Sequence, residues 1–381
     1  MHRAPIWWHL FDVTVASPVK QSLNVVRLVR RASKLPQRSL NLHDDVVQDT
    51  AFFTNRNIEQ LSPSDVAAGP TRPEDTATPP FTITKLKGEG QTPGFFVQDA
   101  KGARYLFKLD PVRAPELLSG AEAVTSKLMY ALGYHVPSYE IIWVRPDDLQ
   151  ADGSINLPLL LDGRVQGGVV RVVASKIIDG EILGPGSFKR FRDCADVRAL
   201  RLAYAWVNNI DAKDHNSLLV WDGTRTVGYL IDFGTSLGAD AGNAGPKHPC
   251  AGILNIVDMH EATLELLTLG MHKPPCRIDT TPPVDSHVGL FTARFKPESW
   301  KPYAPNLAFD AMTEADGRWI ARRIAKLSRA QIDSAVSAGH YADPADAVYL
   351  AETLEQRRQA IIEEYLNDEP EDAAAVQAAT R

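Results

Sequence analysis

Apolar and polar positions change rhythm along this chain, and the change divides it. From Phe81 they alternate: "FTITKL", "FFVQD" and "ARYLFKLDP" read as strands. The connections "KGEGQTPG", with Gly88, Gly90 and Gly94, and "AKG" read as hairpin turns, the first Gly-rich. The period then lengthens. Leu117, Ala121, Val124, Leu128 and Ala131 recur at helical spacing, with Pro115 suited to a first turn and Gly133 to a C-terminal cap. "EIIWV" and "GGVVRVVASKII" return to strands, the second rich in β-branched residues. Beyond "DGEILGPGSFKRF" helices dominate. "ADVRALRLAYAWVNN" carries Leu200, Tyr204 and Val207 on one stripe, and "NIVDMHEATLELLTLG" follows later. "TEADGRWIARRIAKLS" has Thr313 as its cap, and a long amphipathic helix starts near Pro344. A strand pair, "LLVWDG" and "VGYLIDFG", interrupts them. The pattern predicts an α+β fold, with strands and one inserted helix over 81–178 and helices over 179–366.

The flanks read differently. Residues 1–80 form an extension, in which "VKQSLNVVRLVRRASKLPQR" is a cationic helix or tail and "GPTRPEDTATPP" a linker. The C-terminal "NDEPEDAAAVQAATR", 367–381, is expected to be disordered. Length and composition (381 residues, 44% hydrophobic, 23% charged) are those of a globular chain with a real core. A net charge of -6 provides no global basic field, so nucleic acid is not an expected partner. No apolar run approaches the roughly 20 residues of a membrane span, and the N-terminal apolar patch is a poorly formed signal. A cytoplasmic location is the expectation. Cys194, Cys250 and Cys276 are odd in number with no C-x-x-C, which fits a reducing compartment and neither a disulfide framework nor a zinc site. "HPC" at 248–250 and "MHE" at 259–261 lack paired metal-ligand spacing.

The candidate chemistry lies in "NNIDAKDHNSLLV", 208–220, and "GYLIDFGTSLG", 228–238. Acids and amides are poor core residues unless paired. Here Asp211, Lys213 and Asn216 form D-x-K-x-x-N between a helix and a strand, and Asp232 ends the next strand in I-D-F-G. Phosphoryl transfer from ATP needs an acid that positions a hydroxyl, a cation that offsets phosphate charge, and hard oxygen ligands for Mg²⁺. Asp211 suits the first role and Lys213 the second, while Asn216 and Asp232 suit the third. Asp214 is the alternative base, and His215 reads as a hydrogen-bonded loop residue.

Taken in order, D-x-K-x-x-N and I-D-F-G resemble the kinase catalytic loop and D-F-G segment. The chain is similar to the protein-kinase-like superfamily, closer to atypical members such as HipA-type and phosphoinositide kinases. Those two usually carry His where Lys213 stands, so the loop keeps the protein-kinase form. Asn209-Ile210 replaces His-Arg and no A-P-E follows, which withdraws support for a phosphorylation-ordered activation loop and a peptide groove. The resemblance implies a bilobal fold and the use of ATP and Mg²⁺. It implies that Lys108 contacts the phosphates and pairs with Glu122, beneath a loop containing Gly88 and Gly90. Lys176 to Glu181 would be the interlobe strand beside adenine. The acceptor is a hydroxyl on a protein, lipid or small molecule. Two other readings compete. One is a kinase fold without turnover that binds nucleotide or a partner. The other is a serine hydrolase through "GTSLG", with Ser236 as nucleophile, although "ADAGNAGPKHP" does not readily start the helix that this chemistry needs.

Overall fold

A computed structural model describes residues 6–16, 38–88, 92–255, 258–273, 275–276 and 287–367. Most of the basic N-terminal stretch, Gly90 and the tail from 368 lie outside these residues. The chain opens with α1 (Ile6–Phe11), the small hairpin β1 (Leu42–His43) and β2 (Val46–Val47), and α2 (Pro63–Ala68). The predicted strands follow as β3 (Phe81–Leu86), β4 (Gly94–Gln98) and β5 (Arg104–Leu109), then α3 (Leu117–Ala131) and β6 (Tyr139–Val144). The short β7 (Leu149–Gln150), α4 (Leu157–Leu161) and β8 (Val165–Gln166) lead into β9 (Val169–Lys176). These strands form one sheet in the order β6-β9-β5-β4-β3-β7, with β8 against β9. All pairs are antiparallel except β3 with β7.

Alternation along β5 assigns its two faces. Tyr105, Phe107 and Leu109 join Phe81, Ile83, Phe95, Val97 and Val172 in a core on one side of the sheet. Lys108 therefore points the other way, where α3 lies. That helix is buried almost throughout, so it is covered from both sides.

The second half is helical: α5 (Ala195–Trp206), α6 (Met259–Leu267), α7 (Glu314–Ala325), α8 (Arg329–Ser337) and α9 (Pro344–Leu366). Three antiparallel strands, β10 (Glu181–Gly184), β11 (Ser217–Trp221) and β12 (Thr226–Leu230), sit beside them, followed by the short pair β13 (Ala239–Asp240) and β14 (Gly245–Pro246). Thr313 and Asp316 close a capping box on α7. Trp206 on α5 donates to the Leu354 carbonyl of α9 at 2.9 Å. The result is α+β, a strand-rich part followed by a helical one.

The stretch before β3 is built into this core. Phe52, Phe53, Ile58 and Val66 are buried in the same cluster as Leu200, Trp206 and Ile324. Asn41 and Thr50 each bond the buried Asp196 carboxylate at 2.8 Å. The Arg323 guanidinium donates to the carbonyls of Leu132 and Arg56 and to Asn55 Oδ1. These are pairings between distant segments, which no local periodicity announces.

The cysteine reading needs correction. Cys250 and Cys276 form a disulfide with Cα atoms 5.6 Å apart, and only Cys194 is free. A 26-residue separation carries no signature, because the pairing depends on where two loops return in space. The inference of a reducing compartment from cysteine spacing therefore lapses. Among the described residues no helix is long and apolar enough to cross a membrane.

Candidate active site

The site begins with one carboxylate that fixes a strand against a helix. Asp110 follows β5, and its side chain accepts from the amides of Glu116, Leu118 and Ser119 at 2.8 to 3.0 Å. An anion on the first-turn amides satisfies orphan donors and complements the helix dipole. It also fixes the spacing between Lys108, two residues before it, and Glu122, one turn into α3. Lys108 Nζ donates to Glu122 Oε1 at 2.5 Å and to Asp232 Oδ1 at 2.9 Å. Residues from β5, α3 and the end of β12 thus meet at a single ammonium.

Asp232 occupies a left-handed conformation, φ 64°, which is uncommon for a residue with a side chain. Its amide donates to the Tyr139 hydroxyl at 3.2 Å. Tyr139, buried on β6, is a positioning residue absent from the sequence reading; only the structure pairs it with Asp232. Asn216 is brought alongside by the β11–β12 hairpin. Ser217 pairs with Leu230, and one step further Ile231 donates to the Asn216 carbonyl at 3.0 Å.

The loop 208–216 is held by its neighbours. Asn216 Nδ2 donates to the Asp211 carbonyl at 2.8 Å, leaving the amide oxygen for another partner. Tyr303 N–H donates to the Ile210 carbonyl at 2.7 Å, and Asn306 Nδ2 to the Ala212 carbonyl at 3.0 Å. The Lys213 ammonium pairs with Asp211, and both side chains are partly exposed. Asp214 Oδ1 accepts from the Phe188 amide at 2.9 Å, a structural engagement. His215 is half-buried beside it.

Two carboxylates compete for Lys108, and their surroundings push them apart. Burial raises the Glu122 carboxyl to about 7; Lys108 offsets only part of this, and the Asp232 charge adds to it. Glu122 Oε2 has no hydrogen-bond partner. Burial acts upward on Asp232 as well, but the ammoniums of Lys108, Lys213 and Lys87 outweigh it and hold this carboxyl down to about 2. Its side chain is 39% exposed, against 2% for Glu122, so water also reaches it. For Lys108, burial would lower the value, yet Asp232 and Glu122 raise it above the ordinary lysine range. Asp232 is therefore a charged, water-accessible oxygen donor, and with the amide oxygen of Asn216 on the adjoining strand end it supplies the hard donor types that Mg²⁺ takes.

The other candidate positions are scattered. Gly88 is exposed just beyond β3, and Gly90 lies outside the described residues. Lys176 ends β9 with its ammonium on Asp75, and Glu181 is exposed on β10 opposite Trp221. The stretch 177–180 between them is not a strand, so the single interlobe strand expected from Lys176 to Glu181 is not formed; the chain instead leaves one sheet at Lys176 and enters another at Glu181. Ser236 is fully buried, its hydroxyl bonded to the Phe233 and Ala121 carbonyls and to Thr125. The chain after it continues into β13, so the strand–Ser–helix arrangement of a nucleophile elbow is not formed. Among the described residues no group of three His, Cys, Asp or Glu side chains could hold a metal.

No protein-family model and no curated protein matches this chain. Among solved structures it is similar to the Helicobacter pylori proinflammatory kinase CtkA, at 11% identity and a TM-score of 0.42, over 79% of this chain and 97% of that one.

Proposed function

We propose that this chain is a Mg²⁺- and ATP-dependent phosphotransferase acting on a hydroxyl acceptor. One observation carries the reading: a buried lysine shared by a helical glutamate and a strand-end aspartate, beside a loop presenting Asp211, Lys213 and Asn216. A structural ion pair needs only one carboxylate. A second one, ionised and open to water, has a further use.

In this reading Lys108, oriented by Glu122, contacts the phosphates. Asp232 and Asn216 Oδ1 hold the cation. When bound, Mg²⁺ neutralises phosphate oxygens and draws charge from the leaving group. Asp211 orients the acceptor hydroxyl and takes its proton, and Lys213 offsets the charge on the transferred group. Gly88 and Gly90 belong to the loop over the phosphates, and the segment from Lys176 to Glu181 lies beside adenine.

The test is thermal stability of the chain with ATP, with and without Mg²⁺, compared with Asp232→Ala. A ligand at about 100 times its Kd stabilises by roughly 2.7 kcal/mol. A metal-dependent rise in Tm that the variant loses is the expected result. An intact fold with no shift in either protein would overturn the reading. Nucleotide binding without transfer to any hydroxyl would favour a turnover-free, nucleotide-binding role.

A further inference from the structure

Lys87 has no role in the reading above, yet the sheet register puts it in the site. Leu86 pairs with Phe95, and one step on the Lys87 amide donates to the Gly94 carbonyl at 2.9 Å. Gly94 in turn lies opposite Lys108 on β5. Directly paired residues share a face of a sheet. The row Phe95–Phe107 points into the core on the far side, so the row Lys87–Gly94–Lys108 points toward α3 and Asp232. Strands lie about 4.8 Å apart, which puts the two lysine backbones roughly 10 Å apart, with no side chain between them. Gly94 must stay bare, because a Cβ there would meet the Phe107 carbonyl oxygen at 2.4 Å.

The ammonium of Lys87 donates to the Thr92 carbonyl of its own loop at 2.9 Å. The residue is half-buried, and burial together with the charge of Lys108 holds it below the ordinary lysine value despite Asp232 and Glu122. Lys87, Lys108 and Lys213 all act on Asp232. Three ammoniums thus act on one carboxylate, an excess of positive charge that suits a polyanion.

We propose that Lys87 is a second phosphate-binding lysine, delivered by the β3–β4 loop opposite Lys108, and that the pair selects a nucleoside triphosphate by its polyphosphate. This rests on the phosphotransferase reading. Lys87 exchanges the Thr92 carbonyl for a phosphate oxygen, and no bond is made or broken. Two ammoniums facing one another across a bare glycine match a chain of phosphates better than a single phosphate group.

Calorimetric titration of the full chain in Mg²⁺ with ATP, AMP and inorganic tripolyphosphate tests this, using wild type, Lys87→Met and Lys87→Arg. Removing a charge-assisted contact should weaken ATP and tripolyphosphate by about tenfold or more. AMP affinity should stay unchanged, and Lys87→Arg should keep most of the ATP affinity. Unchanged ATP affinity in Lys87→Met overturns the assignment and leaves the phosphotransferase reading standing. Equal weakening of AMP and ATP overturns it too, since that marks a collapsed loop. A wild-type chain that binds neither ATP nor tripolyphosphate sinks both.

Discussion

Two buried lysines, Lys108 and Lys247, show how the same group serves opposite ends. Both are almost inaccessible to water. Lys108 is held by two carboxylates, which keep it charged above the ordinary lysine range although burial pulls the other way. Lys247 is held by the carbonyls of Asn208, Thr235 and Leu237, at 2.5, 3.0 and 2.9 Å. Dipoles compensate burial less than full charges do, and the nearby Asp240 does not make up the difference, so its value falls well below that of a free lysine. One ammonium can be claimed by a competing anion, while the other staples the loop before Asp211 to the segment after Asp232. The two lysines differ in their partners: carboxylates, one of which meets solvent, for Lys108, and neutral carbonyls for Lys247.

The sharpest test exchanges the two. Lys108→Met should cut phosphoryl transfer by about a thousandfold, the scale of losing a preorganised charge at a transition state. Its fold should survive, because Glu122 can take up a proton and Asp232 can turn to water. Lys247→Met should do the reverse. It leaves the Asn208 and Leu237 carbonyls buried without a donor, at about 1–3 kcal/mol for each unsatisfied group, while the Thr235 carbonyl keeps the Ile210 amide at 3.3 Å. A fall in Tm larger than that of Lys108→Met is expected, with turnover retained by the folded fraction. Paired melting curves and rates with labelled ATP read both outcomes. If Lys108→Met unfolds the chain and Lys247→Met spares it, the contrast is wrong.

The same contrast marks what could be read from sequence. Lys108, Glu122, Asp211, Asn216 and Asp232 stand out because each is a polar residue at a fixed place in a rhythm of strands and helices. The fold class follows from that rhythm, and the structure brings three of the five to one ammonium. Lys247 sits in "GPKHP", which reads as an open loop. Tyr139 looks like any strand aromatic, and Lys87 like any turn lysine. Their roles depend on which distant backbone passes nearby, and no local pattern encodes that. The disulfide and the burial of Phe52 and Phe53 were hidden for the same reason. Lys176, expected beside adenine, has its ammonium on Asp75 from the preceding segment.

Acid titration is a smaller effect that separates the two carboxylates on Lys108. The folded value of Glu122, about 7, lies above its ordinary 4.5, so the folded chain binds that proton more tightly than the unfolded one. Its contribution to stability is complete below 4.5 and is lost as pH rises through about 7. Asp232 has the opposite sign. Its folded value, about 2, lies below the ordinary 3.8, so its contribution is present above 3.8 and is lost as pH falls through about 2. Glu122→Gln should therefore gain stability relative to wild type as pH climbs from 4.5 to about 7. A difference that stays flat across that window would mean Glu122 is ionised throughout, and the two carboxylates would then be equivalent.

The smallest expected effect belongs to Ser236, and it asks on which side of the contrast its segment falls. Ser236 lies between Thr235 and Leu237, whose carbonyls both accept from Lys247. Its hydroxyl is spent on Phe233, Ala121 and Thr125. Such a residue holds the post-Asp232 chain in place and has no hydroxyl to offer a substrate. Ser236→Ala should lower stability by about 1 kcal/mol, the net worth of a buried hydrogen bond, and leave transfer from ATP at the wild-type rate. Loss of turnover with an unchanged Tm would move this segment out of the scaffold and into the chemistry, and the stapled side would no longer be purely structural.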